Sequence, residues 1–339
     1  MSWPSPPAGD PAVPLPCVVL ADRAGRAEFA ALQRTLATLG VPSVHVEAGA
    51  APGLSVVPGD GTITLDGRLV APTVVWARDL PPGPVPADAA ARVRADSWRA
   101  LVGQLRALAP TALPGGAPGR LEQLAGAARE GVRTPRTVVT TDPGPAAAAM
   151  PGPYVVVKVL DEHFVETAPG LLVGVFPEVV PREDAARWAP LDFPVIVQEH
   201  VRHDAELRVY HLDGAVHAYA VTKSAPDALW RDAASVAVAP VPSPPAVTEA
   251  VRRLSARWCL AFGAFDVLLD GEDVVFLEVN ADGDWRWYES RAGDRAVSLA
   301  AARMVRELHL QASRRADRPP PIGVVDFLML GTRNGPLGR

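Results

Sequence analysis

The sequence is poor in cysteine and lysine and has no long apolar run. Its two cysteines, Cys17 and Cys259, are far apart and form no Cys-x-x-Cys pair, which argues against a disulfide framework or a zinc ribbon. No hydrophobic segment approaches the roughly 18 residues that a membrane helix needs. No basic segment followed by an apolar one marks a secretory signal. We therefore expect a cytoplasmic protein with no membrane partner.

Basic residues are also outnumbered. The chain has 33 Lys and Arg against 38 Asp and Glu, with a net charge of -5. No basic stripe covers a domain, so nucleic acid is not an expected partner. The phosphate-binding motifs GxxxxGK[ST] and GxGxxG are absent, which argues against P-loop and Rossmann folds. With 339 residues, 48% of them hydrophobic, the chain can form two or three packed modules.

The pattern of apolar residues, turns and prolines predicts five segments. They are a disordered, Pro-rich lead (1–16), an N-terminal α/β domain (17–112), a central module (113–200), a C-terminal module (201–311) and a basic, Pro-rich tail (312–339). Within them the sequence predicts helices at 88–109, 120–130, 246–262 and 295–310, and strands at 17–21, 43–46, 62–65, 68–70, 73–77, 137–141, 154–160, 171–175 and 195–198.

A hairpin at 265–280 carries the strongest chemical signal. Glu278 and Asn280 are two residues apart on an apolar strand, so they share a face, and a carboxylate there is costly without a partner or a cation. If the turn is Gly271-Glu-Asp273, Asp266 pairs directly with Glu278. Two carboxylates and an amide oxygen suit Mg²⁺. The alternative is an exposed edge hairpin with a charged face.

Three other segments are consistent with a nucleotide site. Lys158 lies inside an apolar strand, where it either snorkels to solvent or holds a phosphate. The strand 195–198 turns polar at 199–200, where backbone groups could contact an adenine edge. Glu206 and Arg208 share a strand face, either as ribose and phosphate ligands or as a surface salt bridge.

The order of these parts resembles the ATP-grasp superfamily. That resemblance implies a mixed α/β and α+β architecture, in which an N-terminal α/β domain precedes two modules that clamp ATP. No single motif carries it. It rests on a Lys in a strand, a polar strand end, Glu-x-Arg, and then Asp and Glu-x-Asn on a hairpin.

A closer resemblance covers residues 70–310. Four stretches are similar to the microviridin-type maturases of ribosomal peptides, the graspetide synthetases: Thr73-Val-Val-Trp-Ala-Arg78, Gly131 to Pro143, Gln198 to Arg208, and Phe276 to Trp285. That family phosphorylates Asp or Glu side chains of a precursor peptide and closes them onto hydroxyls or amines.

The resemblance implies ATP and Mg²⁺ as cofactors and assigns residues to them. Lys158, Arg208 and Arg120 would bind phosphates; Gln198, Glu199, His200 and Val201 would form the adenine hinge; Glu206 would bind ribose; and Asp266, Glu278 and Asn280 would hold Mg²⁺.

The sequence departs from the family at four places. Arg120 stands where a lysine is common, and His203 stands where the hinge usually has Lys. The family's Asn-Pro-Asn-Gly-Gln-Trp is Asn280-Ala-Asp-Gly-Asp-Trp285 here, and its Asp-Trp-Arg is Leu229-Trp-Arg231. These changes spare the implied metal ligands but put the substrate identity in doubt.

The predicted reaction is ATP-dependent closure of ester or amide rings on a precursor peptide with an acidic core. Arg231, Lys223 and Trp285 are candidates for binding that core, and segment 171–184, including Arg182, is a candidate docking surface. His200, His203 and His211 are nearby candidate bases. An amino-acid or small-molecule ligase of the glutamate-adding type, or a non-catalytic peptide-binding relative, remains an alternative. A homodimer is left open.

Overall fold

The structure, a computed structural model, describes residues 13–51, 53–78, 80, 88–160, 164–168, 171–174, 177–224 and 232–315. The chain forms two compact units, described separately below. Within the described residues, the first unit is drawn from Met1–Leu80, Ala89–Pro114 and Ser298–Arg339, and the second from Pro81–Asp88 and Gly115–Val297. None of the helices in this part of the chain is long and apolar enough to cross a membrane.

The first unit is built on a six-stranded sheet in the order β2-β1-β5-β4-β3, with β6 also pairing with β5. Strands β1, β2, β5 and β6 run parallel, and β3 and β4 are antiparallel additions. The elements are β1 (Leu15–Arg23), α1 (Ala27–Thr38), β2 (Ser43–Ala48), β3 (Ser55–Val57), β4 (Thr62–Leu65), β5 (Arg68–Ala77), α2 (Ala89–Leu105), a 3-10 turn (Arg106–Leu108) and β6 (Thr111–Leu113).

Strand β5 corrects the predicted division of this region. The sequence suggested separate strands at 68–70 and 73–77, but one strand runs through Pro72. Pro72 has no N–H for the ladder, and the register with β1 shifts beside it, leaving Thr73 as an extra residue. The Thr73 hydroxyl donates to the Cys17 carbonyl at 3.0 Å. A bulge therefore accommodates the proline without ending the strand.

The boundaries at both ends of the chain also differ from the prediction. Strand β1 begins at Leu15, inside the lead predicted to be disordered. The last helix runs over Ala296–Arg315, past the predicted start of the tail at 312. From Ser298 onward this helix groups with the first unit and not with the C-terminal module. Residues 1–12 and 316–339 lie outside the described residues.

His309, on that last helix, makes the stability of the fold dependent on pH. Its Nδ1 lies 2.7 Å from the Thr73 hydroxyl, and burial lowers its pKa to about 4. In the unfolded chain a histidine takes up its proton near pH 6.5. Between those values the unfolded state binds more protons than the folded state, so stability decreases as pH falls.

We therefore expect the free energy of unfolding, measured by urea titration, to decrease as the pH is lowered from 6.5 to 4. The decrease should be up to about 1.4 kcal/mol per pH unit for each such histidine. His309→Gln should reduce this slope when unfolding is followed by tryptophan fluorescence. Burial also lowers the pKa of His211 to about 4, so adding His211→Gln should reduce the slope again. A slope that neither change alters would contradict this assignment.

The second unit contains two sheets and a hairpin. The four-stranded sheet has the antiparallel order β11-β8-β12-β7, β9 pairs with β10, and the five-stranded sheet has the order β15-β14-β13-β16-β17. The strands are β7 (Thr137–Thr140), β8 (Tyr154–Val159), β9 (Phe164–Ala168), β10 (Leu171–Gly174), β11 (Glu178–Pro181), β12 (Val195–Glu199), β13 (Ala205–Leu212), β14 (Ala215–Thr222), β15 (Ala237–Val241), β16 (Phe262–Asp270) and β17 (Asp273–Asn280). The helices are α3 (Arg120–Arg129), α4 (Pro143–Ala148), α5 (Arg182–Ala185), α6 (Pro245–Arg257) and α7 (Arg286–Ala292), followed by α8, the helix over Ala296–Arg315.

One face of the five-stranded sheet is covered by α6. Val247, Val251 and Leu254 recur at helical spacing and pack with sheet residues such as Phe265 and Phe276. The helix ends at Arg257, five residues before the predicted end, because Cys259 takes a positive φ of 53° and β16 begins soon after. Covering this face leaves the opposite face of the sheet for polar side chains.

Candidate functional site

The hairpin of β16 and β17 carries the three proposed metal ligands, and its turn is shorter than predicted. Asp270 pairs with Asp273, so the turn has two residues, and the predicted three-residue turn is wrong. A two-residue turn alone would place residue 277 opposite Asp266. The structure nevertheless pairs Asp266 directly with Glu278.

A bulge at Leu277 restores that pair. The register of the two strands shifts by one residue just after Asp266, which leaves Leu277 as the extra residue on β17. An extra residue reverses the alternation of side chains along a strand. Phe276 therefore packs in the core beneath the sheet, whereas Glu278 and Asn280 lie on the other face with Asp266. In a regular strand Glu278 would share the core face of Phe276.

Four residues form a row across this open face. Tyr219 pairs with Arg208, Arg208 with Asp266, and Asp266 with Glu278, on four neighbouring strands. The Asn280 side-chain Nδ2 donates to Asp266 Oδ2 at 3.5 Å. The structure thus brings the three proposed metal ligands and one proposed phosphate ligand together.

Arg208 is held from several sides. Its Nη1 donates to both carboxylate oxygens of Asp266, at 3.0 and 2.8 Å. Its guanidinium carbon lies 5.2 Å from the ring centre of Tyr288 and 5.5 Å from that of Tyr210, within cation–π range. Burial opposes its charge, but Asp266 and the two tyrosines raise the pKa of the guanidinium well above its ordinary value. Arg208 is therefore a fixed, permanent cation.

Glu278 is contacted by two further cations. Lys158, in the middle of β8, is 6% exposed, and its Nζ lies 3.4 Å from Glu278 Oε2. Arg120, the first residue of α3, donates to the same oxygen. Burial lowers the pKa of Lys158, and Glu278 opposes that effect. Lys158 is therefore not a snorkelling surface lysine, because its charged end is buried beside a carboxylate.

The charges of this cluster fit a metal–triphosphate. Three cations (Lys158, Arg120 and Arg208) face two carboxylates (Asp266 and Glu278), a formal sum of +1. Adding Mg²⁺ and ATP, with formal charges of about +2 and -4, would bring the local sum close to neutrality, which favours burial. In the described part of the chain no cluster of three or more His, Cys, Asp or Glu side chains could hold a metal. The proposed set is instead two carboxylates and one amide, hard oxygen ligands of the kind that Mg²⁺ accepts.

The first two residues of the proposed adenine hinge are already bonded through their side chains. Gln198 Nε2 donates to the Thr137 hydroxyl at 2.8 Å. Glu199 Oε2 accepts from the backbone N–H of Arg136 at 3.0 Å. The roles proposed for these two residues at an adenine edge stay predictions.

The last two hinge residues follow the end of β12. Val201 is buried against Leu268, and its carbonyl oxygen lies 3.0 Å from His203 Nδ1. The His200 ring meets Tyr154 edge-on, with ring centres 6.1 Å apart. Burial lowers the pKa of His200, with a smaller contribution from His203.

The two lysines of the chain both contact carboxylates of this region. Lys158 meets Glu278, and Lys223 Nζ lies 2.7 Å from Glu206 Oε1. Glu206 is two residues before Arg208, so it lies on the same face of β13. The proposed ribose ligand and a proposed peptide-binding residue therefore form an ion pair with each other.

Two sequence predictions about this site are wrong and one falls outside the described residues. Trp285 is 1% exposed and packs edge-on against Phe262, with ring centres 5.6 Å apart, so it is a core residue and not a peptide-binding surface. His211 is buried on the helix-covered side of β13, and its Nε2 accepts from the Gly214 N–H at 3.0 Å. It stabilises a turn and cannot serve as a base. Arg231 lies outside the described residues.

The proposed docking surface is described only in part. Strands β9, β10 and β11 and helix α5 lie within it, while 169–170 and 175–176 are outside the described residues. Arg182 Nη1 donates to the Met150 carbonyl at 3.2 Å. A role in peptide docking stays a prediction.

Sequence reasoning missed the aromatic side of the site. Tyr210 follows Arg208 by two residues on the same strand, a spacing that could have indicated it. Tyr288 comes from α7, and no local pattern links it to Arg208. Gly283 was also missed: a Cβ there would overlap the Ala264 side chain and lie 2.6 Å from Arg208 Nη2.

No family model matches this chain, and no curated protein matches its sequence. Solved structures do match. The macrocyclase MdnC of Microcystis aeruginosa MRC, solved with the precursor peptide MdnA, is 19% identical, with a TM-score of 0.69 over 86% of this chain and 99% of that one. The ATP-grasp ligase PsnB, solved with a phosphomimetic variant of a minimal precursor, Mg and ADP, is 17% identical, with a TM-score of 0.66 over 86% and 98%.

A third match is a RiPP-associated ATP-grasp ligase of Chryseobacterium gregarium, solved with ADP and a leader and core peptide. It is 20% identical, with a TM-score of 0.65 over 86% of this chain and 96% of that one. The chain therefore has the ATP-grasp fold, which confirms the fold class predicted from the sequence. Within that fold, the predicted resemblance to microviridin-type peptide maturases is confirmed as well.

Proposed function

We propose that this protein is an ADP-forming ATP-grasp ligase that acts on a ribosomal precursor peptide. In this proposal it activates Asp or Glu side chains of the peptide as acyl phosphates and closes them onto hydroxyls or amines. The observation that carries the proposal is the meeting of Lys158 and Arg120 with Glu278 beside the Arg208–Asp266 pair. The similar ligases solved with precursor peptides, and in two cases with ADP, support the substrate class.

The first chemical step is needed because a carboxylate is a poor electrophile. Its charge and resonance oppose nucleophilic attack, so the γ-phosphoryl group of ATP is first transferred to one of its oxygens. Arg208, Lys158 and Arg120 would stabilise the charge that spreads over the transferring group. Bound Mg²⁺, held by Asp266, Glu278 and Asn280, would supply charge neutralisation of the phosphates.

In the second step an acceptor hydroxyl or amine attacks the acyl carbon, and inorganic phosphate leaves. The balance is ATP plus a carboxylic acid plus the acceptor, giving ADP, phosphate and an ester or amide. Each linkage removes one water from the peptide. The site must exclude bulk water, because water would hydrolyse the acyl phosphate.

The experiment is incubation of the protein with ATP, Mg²⁺ and a candidate precursor, chosen from any short acidic peptides encoded beside its gene. The peptide mass should fall by whole multiples of water, while ADP and phosphate accumulate. An Asp266→Ala variant, purified in the same way, should leave the peptide unmodified. AMP and pyrophosphate would instead indicate adenylation. A product that gains the mass of a free amino acid would overturn the maturase proposal in favour of a glutamate-adding ligase with the same nucleotide site.

A further inference from the structure

A glutamine side chain binds the outer edge of β17, the strand that carries Glu278 and Asn280. Strand β17 is the last strand of its sheet, and among the described residues its outer edge meets only an isolated bridge between Arg133 and Val275 and no further strand. Gln123 on α3 is 6% exposed. Its Oε1 accepts from the Val279 N–H at 2.9 Å, and its Nε2 donates to the Val279 carbonyl at 3.0 Å and to the Pro118 carbonyl at 2.8 Å. The primary amide thus bonds Val279 as a neighbouring strand would.

The contact between Gln123 and Val279 lies beside the two proposed metal ligands of β17. Val279 lies between Glu278 and Asn280, two residues after the bulge at Leu277. On the other side of the bulge, the Phe276 N–H donates to the Arg133 carbonyl at 2.8 Å. A bulge leaves the local ladder unpaired, so these two contacts set the backbone direction on either side of it. The contact beyond the bulge is the one that orients the two proposed ligands.

The same helix carries Arg120. Residues 120 and 123 are one turn apart, so they lie on the same side of α3. Arg120 donates to Glu278, while Gln123 binds the next residue of β17. Helix α3 therefore contacts β17 at two successive residues, Glu278 and Val279. The bonds of the Gln123 amide to Val279 fix the position of the helix from which Arg120 contacts the Glu278 carboxylate.

We propose that Gln123 is a positioning residue that holds Glu278 and Asn280 in the orientation needed to bind the metal of a metal–nucleotide. It touches neither nucleotide nor metal and acts through the Val279 backbone. This inference rests on the proposed function, because it assumes that Glu278 and Asn280 are metal ligands. Residues that orient metal ligands typically contribute about 10–100-fold to metal affinity.

The test is the Mg²⁺ dependence of ADP binding to the full-length protein, measured by isothermal titration at a series of Mg²⁺ concentrations. Gln123→Met has similar volume but makes neither bond to Val279. We expect it to raise the Mg²⁺ concentration for half-maximal ADP binding by roughly ten-fold. At saturating Mg²⁺ the ADP affinity should return close to that of the wild type, and with excess chelator the two proteins should bind alike.

Gln33→Met is the matched control. Gln33 lies on α1 in the first unit, and its Nε2 donates to the Ser43 carbonyl at 3.2 Å, so the same chemical change removes a helix-to-strand bond within the first unit. The Mg²⁺ dependence of this variant should equal that of the wild type. If Gln123→Met does not fold, Gln123→Glu, which keeps the acceptor for Val279 N–H but loses both donor bonds, should show a shift in the same direction.

The outcomes separate the two proposals. A Gln123 variant that loses thermal stability but keeps the wild-type Mg²⁺ dependence would show that Gln123 is a structural residue only, which overturns the inference and leaves the proposed function standing. If ADP binding to the wild-type protein is independent of Mg²⁺, the metal assignment itself fails, and the positioning role fails with it.

Discussion

Replacing Lys158 with methionine should reduce ATP-dependent modification of the precursor at least 100-fold, about 3 kcal/mol of transition-state stabilisation. Lys158 lies buried on the four-stranded sheet, and its Nζ is 3.4 Å from the Glu278 carboxylate. Methionine fills much of the same space without the charge. Modification is measured by mass spectrometry and turnover by ADP release, both at saturating ATP.

The fold should survive this change. Burying the Lys158 ammonium is itself costly, so its removal offsets part of the lost ion pair. Glu278 would still be paired with Arg120, so no carboxylate is left alone. The melting temperature of Lys158→Met should therefore stay near that of the wild type. Wild-type turnover in this variant would show that the phosphate site has been misread.

Glu278→Gln should differ from Lys158→Met in its effect on stability. It too should abolish turnover, but it leaves Lys158 and Arg120 facing each other without their shared carboxylate. Two like charges with low exposure destabilise a fold, and breaking a buried pair by removing one partner costs about 3–5 kcal/mol. Arg92→Met is the control for loss of a cation: Arg92 is exposed on α2 and pairs with Asp96 at 3.8 Å, so its loss should leave both turnover and stability close to those of the wild type.

The site could be assembled from the sequence only where its residues share a strand. The i, i+2 spacing of Glu278 and Asn280, and of Glu206 and Arg208, predicts shared faces because strands alternate. The pairing of Asp266 with Glu278 was predicted correctly, but from a three-residue turn that the structure does not have. In the structure a two-residue turn and a bulge at Leu277 together give the same pair. Nothing in Phe-Leu-Glu-Val-Asn indicates that bulge, since regular alternation would put Phe276 and Glu278 on one face.

Contacts between elements far apart in sequence could not be predicted from the alternation of side chains along a strand. Gln123 and Tyr288 reach the site from helices, and no periodicity relates them to β13 or β17. Trp285 was misjudged because an aromatic residue after an acidic turn suits a binding surface as well as a core, and burial decides between them. The continuous β5 was missed because proline usually interrupts a strand, whereas a bulge at Thr73 accommodates it.

Gly283→Ala should lower turnover by about a hundredfold because the new methyl group displaces Arg208. A displacement on the order of 1 Å at a group that acts in the reaction can reduce its rate about a hundredfold. Gly283 follows the hairpin, in the segment where this chain has Asn280-Ala-Asp-Gly-Asp. Its Cβ would lie 2.6 Å from Arg208 Nη2 and would also overlap the Ala264 side chain. The guanidinium must then move away from Asp266 and from the rings of Tyr210 and Tyr288.

A second variant separates displacement of Arg208 from general strain. Ala264→Gly removes the side chain that the new methyl group overlaps, so the double variant Gly283→Ala with Ala264→Gly should regain part of the thermal stability. It should not regain turnover, because the contact with Arg208 remains. Gly103→Ala is the control, since a Cβ at Gly103 in α2 meets nothing within 4 Å. Recovery of turnover together with stability in the double variant would mean that Gly283 supports the fold and not the placement of Arg208.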